Sequence, residues 1–206
     1  MANDNYPRGL WPLNFDCHAG HYYRVSTATD IYLGQPVAIP AAGYVVGTAT
    51  AGNVVVMGVA VAFAGTLKRG LATTDPFLDV SDLTPPSPSS DTGDRYVLIA
   101  DDPAQEFMVQ EDTGGTALTL AEVGASADVV YRGAGGVVDG DVNTGWSSLE
   151  LDASTVAAGT GGMLTVLRLH DYVNTDGTEN VVGDYAKWVV RFTHHQKLGL
   201  QAVAQV

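Results

Sequence analysis

A chain of 206 residues with 46% hydrophobic and only 16% charged residues has the balance of a folded domain, not of a disordered tail. Asp and Glu outnumber Lys and Arg by 23 to 10, and a net charge of −13 repels phosphate backbones and anionic bilayers, so neither nucleic acid nor a membrane surface is an expected partner. Cys17 is the only cysteine, which excludes an intrachain disulfide, and 24 glycines with 9 prolines favour short strands and turns over long helices.

Residues 1–21 set Pro7, Gly9, Pro12 and Gly20 among Tyr6, Arg8, Leu10, Trp11, Leu13 and Phe15, with no helical or strand period. This is expected to be an extended N-terminal arm. Its large side chains are costly to leave in water, so they cover the chain's own barrel or anchor on a neighbouring subunit. The anchor reading is preferred, because aromatic residues with Arg are what interface hot spots use. The start has neither the basic residues nor the apolar core of a signal peptide, and the longest apolar stretch, 54–64, is too short for a membrane helix. Synthesis in the cytoplasm as a soluble protein is expected.

From residue 22 to the end the pattern is that of one β-rich domain. Strands are predicted at 22–26, 31–33, 36–39, 44–49 and 54–63, each bounded by Gly, Asp, Asn or Pro. The 54–63 segment is apolar on both faces, as a central strand is, and Gly58 within it marks a bulge or bend. Residues 68–94 break the pattern with a long Pro/Ser-rich loop. Two strands, 96–100 and 106–111, follow around an acidic turn. Residues 112–162 are Gly-rich and dominated by loops, with one short helix predicted over 116–123 that would align Leu118, Leu120 and Val123. Strands return at 147–151, 163–169 and 186–193, where Leu164, Val166 and Leu169, and Trp188, Val190 and Phe192, form apolar faces. The fold class expected is all-β: a small β-barrel-like domain with long Gly/Pro-rich loops, the arm, and at most one or two short helices.

Chemistry-bearing residues are sparse. Asp139, Asp141, Asn143 and Glu150 fall at positions one, three, five and twelve of a calcium-loop pattern, but the glycine comes one place late and no helix flanks it. Asp, Asn and Gly clusters also build ordinary β-turns, and that reading is preferred. Cys17, His18 and His21 fit no familiar zinc spacing. His194 and His195 are adjacent, so a strand would point them to opposite faces. His170-Asp171 lacks a nucleophile elbow, and the glycine runs at 133–136 and 159–162 lack the setting of a phosphate loop. No catalytic residue, cofactor or metal is expected, and the chain does not read as an enzyme.

The run from Arg95 to Asp112, with Asp101-Asp102-Pro103 at its turn, resembles a segment of small structural proteins of tailed bacteriophages that are encoded beside the major capsid protein. Pro7-Arg8-Gly9-Leu10-Trp11-Pro12 is similar to that family's opening. Asp30-Ile31-Tyr32-Leu33-Gly34-Gln35-Pro36-Val37 with Val55-Val56-Met57-Gly58-Val59 resembles its hairpin region. Gly145-Trp146-Ser147-Ser148-Leu149-Glu150-Leu151-Asp152 and 188–196 resemble its later elements, in the expected order. The small residues of 153–162 depart from it. The resemblance implies a head decoration, or cement, protein that stabilises the mature capsid by bridging major capsid subunits. It also implies a homotrimer on the outer surface of the virion. A tail or baseplate adhesin and a glycan-active enzyme are the alternatives.

Overall fold

The computed structural model describes residues 3–16, 19–25, 30–40, 43–48, 54–64, 96–132, 140–141, 144–159 and 161–198. The Pro/Ser loop at 68–94, the calcium-pattern residues Asp139 and Asn143, and Cys17 with His18 lie outside these. The fold is all-β, as the alternation and the turn residues predict. Among the described residues two antiparallel sheets of five strands and one two-stranded ribbon form, and neither sheet closes on itself, so the expected barrel-like domain is an open two-sheet arrangement.

The first sheet has the order β1 (Trp11–Pro12), β7 (Phe107–Gln110), β12 (Lys187–Phe192), β11 (Leu164–Leu169), β8 (Ser126–Ala127). The second runs β2 (His21–Arg24), β6 (Tyr96–Ala100), β5 (Gly58–Ala64), β3 (Pro36–Ala38), β4 (Val46–Gly47). The ribbon pairs β9 (Val129–Tyr131) with β10 (Leu149–Leu151). The predicted strand at 54–63 forms only from Gly58 on, as β5, the central strand of its sheet, while residues 54–57 lie outside it. Its register shifts between Ala60 and Ala62, just beyond Gly58. β6 and β7 do not pair with each other. The acidic turn between them, closed by bonds from the Gln105 and Ala104 amides to Asp102, carries the chain from one sheet to the other.

Trp188, Val190 and Phe192 all face the main core, and Phe107 meets Phe192 edge-on at 5.2 Å, a contact that adds about 0.5–1.5 kcal/mol to simple burial. A bulge between Val166 and Arg168 explains why the apolar face of β11 steps from Val166 to Leu169. A smaller core gathers Val25, Ile31, Val37, Val45 and Ile99 of the second sheet. The predicted helix at 116–123 is reduced to a 3₁₀ turn, Leu120–Glu122, capped by Thr119 and Glu122. Leu118 is buried while Leu120 stays 63% exposed, so the side chains do not share a face. Eight residues held by a local cap do not repay helix nucleation unless an apolar face is buried.

Buried Asp101 pins the second sheet to the last described turn. Its carboxylate accepts hydrogen bonds from the Tyr23 hydroxyl (2.5 Å), Lys197 Nζ (2.6 Å) and His21 Nδ1 (3.0 Å). Burial pushes this carboxyl up, but the three donors outweigh burial and hold it below the usual range. Tyr23 is raised in turn, by burial and by that same carboxylate.

The arm enters the fold through a backbone crossing. Gly9 has φ +67° and Gly34 φ +81°, and the Leu10 amide donates to the Gly34 carbonyl at 2.8 Å. A Cβ on Gly34 would overlap the Arg8 carbonyl oxygen, and one on Gly9 would overlap that of Gly34. Gly145-Trp146-Ser147 closes the same point, since the Leu33 and Ser147 amides exchange bonds with the carbonyls of Gly145 and Leu33. Gly34→Ala adds left-handed strain to a backbone clash. It should lower the unfolding free energy by at least about 2 kcal/mol, read by urea denaturation, with the native far-ultraviolet spectrum retained.

Candidate functional site

The six predicted anchors divide into two groups. Leu10 is fully buried and Phe15 packs against the same core, so both serve the chain's own interior. Leu13 is half-buried, and its amide donates to the Glu106 carbonyl alongside β7. Tyr6, Arg8 and Trp11 come together at the surface. The Arg8 guanidinium lies 4.2 Å from the centre of the Tyr6 ring and 5.6 Å from that of Trp146, and Trp146 meets Trp11 at 5.1 Å. Tyr6 and Trp11 remain 51% and 40% exposed. The outcome is an aromatic patch threaded by one cation, with Arg8 Nε buried and lacking a hydrogen-bond partner. Trp146, contributed by the 145–152 motif, completes the patch but carried no periodic signal that would mark it as a site residue.

Beside the patch lies a cleft of about 220 Å³ bordered by Tyr6, Arg8, Trp11, Met108, Tyr172 and Lys187. Its floor is a buried polar layer between β7, β12 and β10. Lys187, only 3% exposed, donates to Gln110 Oε1 (2.8 Å), the Tyr185 carbonyl (2.9 Å) and the Asp4 carbonyl (2.5 Å). Gln110 Oε1 also accepts the Tyr6 amide at 2.7 Å, while its Nε2 donates to Asn5 Oδ1 (2.9 Å) and Glu150 Oε1 (2.5 Å). The arm is held further out by Asn3, whose side chain bonds Val181 and the Asp184 carbonyl, and by Asp4, which accepts the Thr175 amide.

Burial decides the protonation of this layer. It lowers Lys187 to about 8 and raises Glu150 to about 7 against the Gln110 bond. Next to it Glu111 is fully buried, accepting the Trp188 indole N–H and the Leu118 amide, each at 2.7 Å, and burial still raises it to about 7. Asp112 completes the row by accepting Arg132 at 2.6 Å and the Ala153 amide at 3.0 Å. Of these groups only Glu150 was singled out from the sequence, and then for a calcium pattern and not for this layer. Lys187 heads an apolar strand and Glu111 closes one, and only the central place of β12 in its sheet buries them.

Glu150, the last member of the calcium pattern, is thus committed to Gln110. The described part of that loop is an ordinary turn, with the Gly145 amide donating to the Asp141 carbonyl and the Thr144 hydroxyl to its carboxylate. Among the described residues no three His, Cys, Asp or Glu side chains are grouped to hold a metal, and no helix is long and apolar enough to cross a membrane. No protein-family model, curated protein or solved structure matches this chain.

The folded chain keeps a proton on Glu111 that the unfolded chain releases above about 4.5, so its contribution to stability is present at low pH and is lost as pH rises through about 7. The unfolding free energy should fall by about 1–3 kcal/mol across that window through this group. In a Trp11→Phe, Trp146→Phe background, Trp188 emission should titrate with a midpoint near 7; a midpoint near 4.5 would show that Glu111 is not desolvated.

Proposed function

We propose that this chain is a non-enzymatic capsid decoration protein that binds the outer surface of a mature phage head and bridges major capsid subunits. The observation that carries this reading is the surface patch of exposed Tyr6 and Trp11 with half-buried Arg8 and Trp146, an aromatic and arginine cluster of the kind that dominates interface energetics, on an otherwise strongly acidic chain. Further support is that three of the phage-like segments, around Gly9, Gly34 and Gly145, meet at one crossing that fixes the patch in place. The net charge of −13 disfavours sticking to packaged DNA and to other particles. A homotrimer would multiply one weak patch into an avid contact.

Two measurements test the reading. Quantitative mass spectrometry of purified particles should find this protein in amounts comparable to the major shell subunit. A few copies per particle would move it to the tail or baseplate, and its absence would end any virion role and leave a glycan-active enzyme to be assayed. In reconstitution on stripped heads, Tyr6→Ala with Trp11→Ala should weaken binding by at least about thirtyfold, or ~2 kcal/mol. The same variant should keep the native far-ultraviolet spectrum and a cooperative unfolding transition, since Tyr6 and Trp11, 51% and 40% exposed, lie at the surface and outside the buried core.

A further inference from the structure

We propose that Lys187 and Gln110 become joined by an intramolecular isopeptide bond, in which the lysine Nζ displaces ammonia from the glutamine carboxamide and Glu150 carries the protons. The two residues are direct cross-strand partners on β12 and β7, and Nζ already sits 2.8 Å from Oε1. Each reacting role has an occupant. The Tyr6 backbone N–H, 2.7 Å from Oε1, stands where negative charge develops as the carbonyl is attacked. Glu150 Oε1 lies 2.5 Å from Nε2, the leaving nitrogen. Lys187, Gln110 and Glu150 are 3%, 3% and 4% exposed, so little water reaches the amide to compete with the adjacent amine as nucleophile.

The step balances without any co-reactant. The neutral amine forms the Nζ–Cδ bond and the carbonyl electron pair moves onto Oε1. Attack acidifies Nζ, which gives a proton to Glu150, and Glu150 gives one to Nε2. The Cδ–Nε2 bond then breaks, and Oε1 returns its electron pair to the carbonyl. In sum, one neutral side-chain amine and one primary amide yield one secondary amide and one ammonia, which takes up from solvent the proton that Lys187 released there to become neutral. Burial supplies the protonation states this needs, because it brings Lys187 down to about 8 and Glu150 up to about 7, close enough to exchange a proton at neutral pH. The other acceptors of Nζ are the backbone carbonyls of Asp4 and Tyr185, and neither has an acid on its leaving nitrogen. The cleft under Tyr6 and Tyr172 borders both reacting residues and gives ammonia a way out.

The bond would tie together strands 77 residues apart in sequence, at the place where the arm docks. Closing so long a loop covalently restricts the unfolded chain. Such a staple compensates for the lack of any disulfide partner for Cys17.

The test is the intact mass of the full chain, purified and held at neutral pH. It should be lower than the sequence mass by one ammonia, and proteolysis should yield a branched peptide joining the Gln110 and Lys187 segments. Lys187→Met should restore the full mass expected for its own sequence, and Glu150→Gln should slow the loss of ammonia at least tenfold, or ~1.4 kcal/mol in barrier. A wild-type chain that keeps its full sequence mass after prolonged incubation would overturn the proposal, whether or not the variants fold. An ammonia loss that maps to another pair of residues would overturn it equally.

Discussion

The backbone of the arm crosses the turn before β3 at Gly9 and Gly34, so closely that neither position has room for a side chain. Everything on that side of the molecule is placed by this contact. It sets Leu10 into the main core, directs Trp11 onto β7, and leaves Arg8 between the rings of Tyr6 and Trp146. The 145–147 segment locks the crossing from the third side through paired bonds with Leu33. Backbone bonds of this kind are short-range and directional, so they fix orientation where apolar packing alone would tolerate sliding.

The polar layer under the arm is a second organising element, and it is expensive. Glu111, Glu150 and Lys187 are all nearly or fully buried, and burial of a charge is repaid only when its hydrogen bonds are met. Here they are met, largely by partners on other elements: Trp188, Leu118, Gln110 and the arm's own backbone. A fully satisfied network specifies one arrangement, because a shift in register would leave several groups unpaired. That gives the arm a fixed seat, in contrast to a tether that only trails from the sheet.

Two further features bear on the proposed role. The acidic composition opposes nonspecific contacts with anionic surfaces, while the cluster of Tyr6, Trp11 and Trp146 is held in place by the Gly9 crossing and the Trp11–Trp146 ring contact. A rigid, amphipathic patch loses little entropy on association. At the other end of the chain, Asp101 with Tyr23, His21 and Lys197 fastens the last described turn to the second sheet. Described residues near each end, Asn3 and Lys197, are therefore tied to the body of the fold by hydrogen-bonded side chains.

What the sequence determined by itself was the β class, most strands from 96 onward, the central character of the 54–63 run, and the apolar faces led by Trp188 and Leu164. These follow from local rules, since alternation and turn residues act within a few neighbours. It left β1, β8 and β9 unseen, because strands of two or three residues carry too little pattern to rise above their surroundings. It suggested a β-barrel-like domain where, among the described residues, two open sheets form, because closure depends on strand tilt and edge pairing between distant segments. Among the anchors it could not separate Leu10, turned inward, from Tyr6 and Trp11, turned outward, since an arm without a period has no face until it is docked. Only the tertiary structure brought Lys187, Gln110 and Glu150 into one buried layer, for they come from three strands and share no spacing in the chain.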